Sequence, residues 1–140
     1  MFWNKTITLY NRHQDALTDE IAWHRHTIRN CFFKSARNNV RAGSTQTASN
    51  DNVARIPAQD NFVPANEWNA LPVDKRGKYI TLQVGDVIVL GDINEDIDEY
   101  ANGKRSSDLI AKHELSGSMF VDSYNINDFL PGAHYFVRGK

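Results

Sequence analysis

Asp92, Asn94, Asp96 and Asp98 place an oxygen ligand at every second residue, the spacing of the first four ligands of an EF-hand calcium loop. Calcium needs a closed oxygen sphere, and here it fails to close. Ile97 stands where a glycine makes the sharp turn, and Gly103 stands where a bidentate glutamate should complete the set. The preferred reading is a solvated acidic loop and no metal site, with a calcium-dependent binding module as the rival that this spacing allows. Just beyond, Gly103-Lys104-Arg105-Ser106-Ser107 has the outline of a phosphate-binding loop, but Asp98 occupies the first glycine position and Arg105 replaces the Ser or Thr after lysine. What remains is an exposed basic turn in front of a short helix, whose start Ser106 or Ser107 can cap and where an anion could rest.

His24 and His26 lie two residues apart, on one face of any strand that carries them, and His13 is a conceivable third metal ligand. No carboxylate or further histidine stands at a diagnostic spacing, so a satisfied or solvent-facing pair is the simpler reading. Cys31 is the single cysteine, flanked by Phe32 and Phe33, which excludes an internal disulfide and points to a small buried hydrophobe. No serine sits in a GxSxG elbow. These residues supply no active site and imply no cofactor. Lys34, Arg37 and Arg41, by contrast, are interleaved with Asn, Ser and Gly, with no acid before Asp51. Such an arm can touch phosphates without reading sequence, or touch a partner.

The elements that must position these groups are mostly strands. Ile7 and Leu9 alternate with polar neighbours, and after a polar turn at Leu17 to Glu20 the alternation resumes. It sets Ile21, Trp23, Arg25 and Thr27 on one face and Ala22, His24, His26 and Ile28 on the other, as in an antiparallel pair with a bulge near Arg29-Asn30. Tyr79 to Gly91, YITLQVGDVIVLG, reads as a β-hairpin around Gly85-Asp86. Val53 to Ile56 is a strand ended by Pro57, and Met119 to Asn125 and Ala133 to Arg138 are the last two. Pro64 and Pro72 bracket a short helix that carries Trp68, and a second runs from Ser106 to about Glu114 with Leu109, Ile110 and Leu115 on its apolar side. Trp23, Trp68, Phe120 and Tyr135 are expected core positions. Ser35 to Asn52 is almost wholly polar and aperiodic and reads as a long structureless loop.

The expected fold is mainly β: a small barrel or sandwich of six to eight short antiparallel strands with one or two short helices. One domain spans residues 1–140, with the extended loop at about 35–52. With 140 residues, 41% apolar and 24% charged, the chain can bury a core unaided. No apolar run approaches the roughly 18 residues that span a bilayer, and the first residues lack a signal peptide's pattern, so a cytosolic chain is expected. The net charge of −1 hides a division: eight Lys and Arg against four Asp and Glu up to Arg55, then eight against thirteen. Complementary halves of this kind suit subunits that stack on one another.

The start (ITLYNRHQDALTDEIAWHRHTIRNCFFK), the middle (YITLQVGDVIVLGDI) and the end (NDFLPGAHYFVRGK) together resemble a family of small structural-module proteins of tailed phages and prophages of Gram-positive bacteria, often described as minor capsid proteins. In pattern and size the chain is also similar to head-closure or neck proteins. The resemblance implies a non-enzymatic virion protein of the head-to-tail connector, assembled in the host cytoplasm. It would form a ring of six or twelve copies around the DNA channel, between the portal or adaptor and the tail proteins; a tail-terminator or minor capsid role is the variant. In that role the basic residues Lys34, Arg37, Arg41, Lys104 and Arg105 are candidates for DNA or partner contact, and Asp92, Glu95, Asp96, Asp98 and Glu99 for an inter-subunit acidic loop.

Overall fold

The structure is a computed structural model describing residues 3–42, 45–127 and 133–140, with side chains outside 36–51. Two strands, β1 (Lys5–Gln14) and β2 (Ile21–Ala42), pair antiparallel with Ile7 opposite Ile28, Leu9 opposite His26 and Asn11 opposite His24. The faces divide as the alternation predicts: Ile7, Leu9 and Ile28 enter one core, while Tyr10 and Trp23 meet on the reverse side. The bulge falls at Arg29-Asn30, where three steps of β2 oppose two of β1 and Asn30 takes φ 60°. Asparagine tolerates that left-handed backbone better than most residues.

Four further strands, β3 (Thr45–Pro57), β4 (Val87–Leu90), β5 (Ser118–Asn127) and β6 (His134–Gly139), close the sheet into an antiparallel barrel of order β1-β2-β3-β6-β5-β4. Closure pairs strand edges that would otherwise template association. The interior is filled by Ile7, Leu9, Ile28, Cys31, Ile56, Ile88, Met119, Val121 and Val137, with Tyr135 at its margin. Burial pushes the Cys31 thiol up to about 12, so it behaves as the small hydrophobe expected. Gly139 has no alternative: a Cβ there would collide with the Phe120 carbonyl, which accepts from Lys140 N at 3.1 Å.

Two expectations are corrected. The hairpin at Tyr79 to Gly91 is half a hairpin, because only Val87–Leu90 is a strand, and it pairs with β1 and β5 rather than with residues 80–84. Thr81 is as deeply buried as its neighbours Ile80 and Leu82, so the segment fills the mouth of the barrel with both faces. A strand would have exposed one of them. Ile80 instead makes a lone parallel bridge to Phe62, and Gly85, at φ 95°, turns the chain into β4. The second correction concerns Ser35 to Asn52, whose backbone is paired: β2 and β3 continue in register from Ser35↔Asn52 to Ala42↔Thr45. Aperiodic polarity does not argue against strand pairing, because the backbone hydrogen bonds of a ladder need no side-chain alternation.

The helices are α1 (Ala65–Ala70), α2 (Val73–Arg76) and α3 (Ser106–Lys112), the first two following Pro64 and Pro72. Trp68 of α1 is fully buried, its indole Nε1 donating to the Arg76 and Tyr79 carbonyls at 3.1 Å each. On α3 Leu109 is buried and Ile110 partly so, but Leu115 lies past the helix end, 91% exposed. The cap residue is Arg105 rather than either serine. Carboxylates satisfy the first amides: Asp108 accepts from Arg105 N at 3.2 Å and Glu99 from Ser106 N at 3.1 Å. Leu109 joins Tyr10, Val87, Val89 and Ile97 in a second core on the outside of the barrel, against which Trp23 and Phe120 pack half-buried.

Candidate functional site

From Ala36↔Asp51 to Ala42↔Thr45, seven residue pairs of β2 and β3 bond only to each other among the described residues. At about 3.3 Å per residue, they form a two-stranded arm reaching roughly 23 Å from the barrel. Arg37 and Arg41 lie on this arm by backbone position, with side chains outside those described; Lys34 stands exposed at its root. A groove of about 360 Å³ beside the root is lined by Ser35, Asn52, Ser107, Ile110, Phe120 and Lys140. It brings the arm next to the start of α3, where Lys104 and Arg105 stand exposed in the preceding turn.

The acidic stretch is strapped to its own barrel. Thr8 Oγ1 donates to the Gly91 carbonyl at 2.7 Å and accepts from Ile93 N at 2.9 Å, while the Tyr10 hydroxyl donates to the Glu95 carbonyl at 2.6 Å. Thr27 donates to Asp92 at 3.2 Å, and Arg25 pairs with Asp96 at 3.2 Å. Asp98 accepts from Tyr100 N at 2.9 Å, and the Tyr100 hydroxyl in turn accepts from Ile21 N at 2.9 Å. Glu95 takes Lys112 at 2.9 Å and His113 at 3.2 Å, and the Lys112 hydrogen bond holds its carboxyl below the usual range. Burial pushes the Tyr10 phenol up to about 12. Asp92, Glu95, Asp96, Asp98 and Glu99 thus each have an intramolecular partner. Among the described residues no three His, Cys, Asp or Glu side chains form a metal-holding group. Asn94, Asp96, Asp98, Lys104 and Asp108 instead border an open cleft of about 510 Å³.

His24 and His26 are half-buried. His24 meets the Trp68 ring edge-on at 5.5 Å, His13 meets it at 6.0 Å, and His13 Nδ1 lies 2.8 Å from Asn69 Oδ1. Burial lowers the His26 pKa to about 4 and that of His24 in the same direction, so both are neutral near pH 7. The Nε2 atoms of both and the Thr81 hydroxyl are buried without a hydrogen-bond partner.

Sequence reasoning passed over Asp86, which is wholly buried at the mouth of the barrel. One oxygen accepts from Asn11 Nδ2 at 2.8 Å and Gln83 N at 3.0 Å, the other from Arg12 N at 2.9 Å and Gln83 Nε2 at 3.3 Å. Burial drives its carboxyl up to about 7 against the pull of these donors. It ties β1 to the turn before β4. The Gly85-Asp86 pair is its sequence signal: an aspartate in a tight turn can accept from nearby amides.

Fold and surface together define a class: a small closed antiparallel barrel, strapped on the outside by an acidic segment and extended by a two-stranded arm. The chain belongs to the family of unknown function DUF6751, whose profile matches residues 2–140. No curated protein and no solved structure matches it. Among the described residues, no helix is long and apolar enough to cross a membrane.

Proposed function

We propose that the protein is a non-enzymatic structural subunit of a tailed-phage virion, a head-closure or adaptor ring of the head-to-tail connector built from six or twelve copies around the DNA channel. The observation that carries this reading is the arm. Seven residue pairs of polar ribbon cannot stabilise themselves by burial; an isolated two-stranded hairpin is marginal in water and presents two unpaired edges. Such a ribbon gains its partners from another molecule. A closed barrel supplies the rigid body that a ring requires, and the division between a basic first part and an acidic remainder suits heterologous contacts between copies. The resemblance of the first strands, the Tyr79 to Gly91 segment and the closing strand to phage structural modules supplies the virion and the partners: portal or adaptor above, tail proteins below. Lys34, Arg37 and Arg41 would then face packaged DNA or a neighbour, contacts that carry no sequence specificity.

Imaging the purified chain alone and with portal complexes tests the reading. Closed rings of six or twelve copies, or a ring seated beneath the portal, are expected. A chain that stays monomeric and binds no connector complex refutes it.

A further inference from the structure

We propose that the arm of one copy adds as a strand to the outer edge of β5 in the next, head to tail; this rests on the ring reading above and specifies how the ring is joined. β4 covers β5 only at Ser118–Phe120. Val121 then exchanges backbone hydrogen bonds with the turn, accepting from Gly85 N at 2.9 Å and donating to the Asp86 carbonyl at 2.8 Å. From Ser123 to Asn127 β5 pairs with β6 on one side, and among the described residues no backbone group of that stretch has a partner on the other. Asp122 to Ile126 are exposed without interruption, Tyr124 and Ile126 at 38% each. No proline or lysine interrupts this edge, although those are the usual devices for blunting one.

The arm is its counterpart. Five open residues of β5 offer about 17 Å of edge, and seven residue pairs of arm offer about 23 Å. The residues from Lys34 to Asn52 carry three cations and one acid, while the only charge from Ser118 to Asn127 is Asp122, so the two strands complement in sign. Strand direction points them oppositely: the arm leaves where β6 finishes, and the open edge of β5 runs alongside β6 from Arg138 back to His134, toward the end where β6 begins. Two different, complementary surfaces on one subunit produce a heterologous contact, which propagates and closes into a ring at a suitable rotation. The occupant is therefore a second copy, docked by strand addition.

Two variants test this. In the first, an Asn-Gly turn replaces residues 36–51, which leaves the β5 edge intact; in the second, Tyr124→Lys with Ile126→Lys charges the edge and leaves the arm intact. Circular dichroism and thermal melting establish that each is folded, and Ile126→Lys alone serves if the pair melts early. By sedimentation, each variant alone is expected to be monomeric, their mixture to give an equimolar heterodimer and nothing larger, and the wild-type chain to give higher oligomers. Self-association of the edge variant overturns the proposal, because arms would then be pairing with arms. A mixture that stays monomeric while the wild type assembles also overturns it, with the ring reading intact. A wild-type chain that never assembles removes the ring reading itself.

Discussion

At the scale of single residues, the groups most sensitive to pH are the buried carboxylate of Asp86 and the half-buried imidazole of His26. Each oxygen of Asp86 faces one backbone amide, Arg12 N or Gln83 N, and neither amide can be reversed. Asp86→Asn must point its NH2 at one of them, so the variant is expected to lose about 1 to 3 kcal/mol, the cost of an unmet buried donor; urea unfolding measures it. Asp86 and His26 respond to acid in opposite senses. A carboxyl raised to about 7 when folded holds its proton more tightly than in the unfolded chain, so its contribution to stability grows as pH falls from about 7 toward 4. An imidazole lowered from 6.5 to about 4 contributes stability that is complete above pH 6.5 and is lost as pH falls toward 4. His26→Gln removes only the second effect. Relative to this variant the wild type is expected to lose up to about 3 kcal/mol between pH 7 and about pH 4, and equal pH profiles would mean that His26 titrates normally.

At the scale of elements, legibility in the sequence followed burial. The first two strands were readable because Ile7, Leu9 and Ile28 alternate with residues on the other face. α1 was readable from its flanking prolines, and Trp68 as its core residue. Where burial is two-sided or absent, alternation carries no information. Ile80 to Leu82 looked like a strand and is a plug, because Thr81 is buried on the face that alternation assigns to solvent. Ser35 to Asn52 looked like a loop and is a ribbon of paired backbone, an order that side-chain alternation does not signal. The acidic strap was hidden for a third reason. Its partners, Thr8, Tyr10, Arg25 and Thr27, are some 65 to 85 residues away in sequence, and their local spacing says nothing about where they meet Asp92 to Asp96. The regular row of carboxylates reads as a solvated loop, and the fold gives each one a separate donor.

At the scale of the whole molecule, the division of charge becomes a statement about association. Up to Arg55 basic residues outnumber acidic ones eight to four, and beyond it acidic residues lead thirteen to eight. Part of this asymmetry is consumed internally, since Arg25 of the basic part answers Asp96 of the acidic part within one chain. The cations of the arm segment, Lys34, Arg37 and Arg41, come from the basic part, and the β5 edge with Asp122 from the acidic part. If copies join through these two surfaces, long-range attraction speeds their encounter and ions screen it, because the Debye length falls from about 10 Å at 0.1 M salt to about 3 Å at 1 M. Strand hydrogen bonds are short-ranged and largely unscreened. Salt is therefore expected to slow assembly several-fold and to leave dissociation nearly unchanged, measurable by light scattering after dilution into the two conditions. Dissociation that accelerates with salt while association holds steady would place the charges inside the contact itself, and strand addition would then not be what holds the copies together.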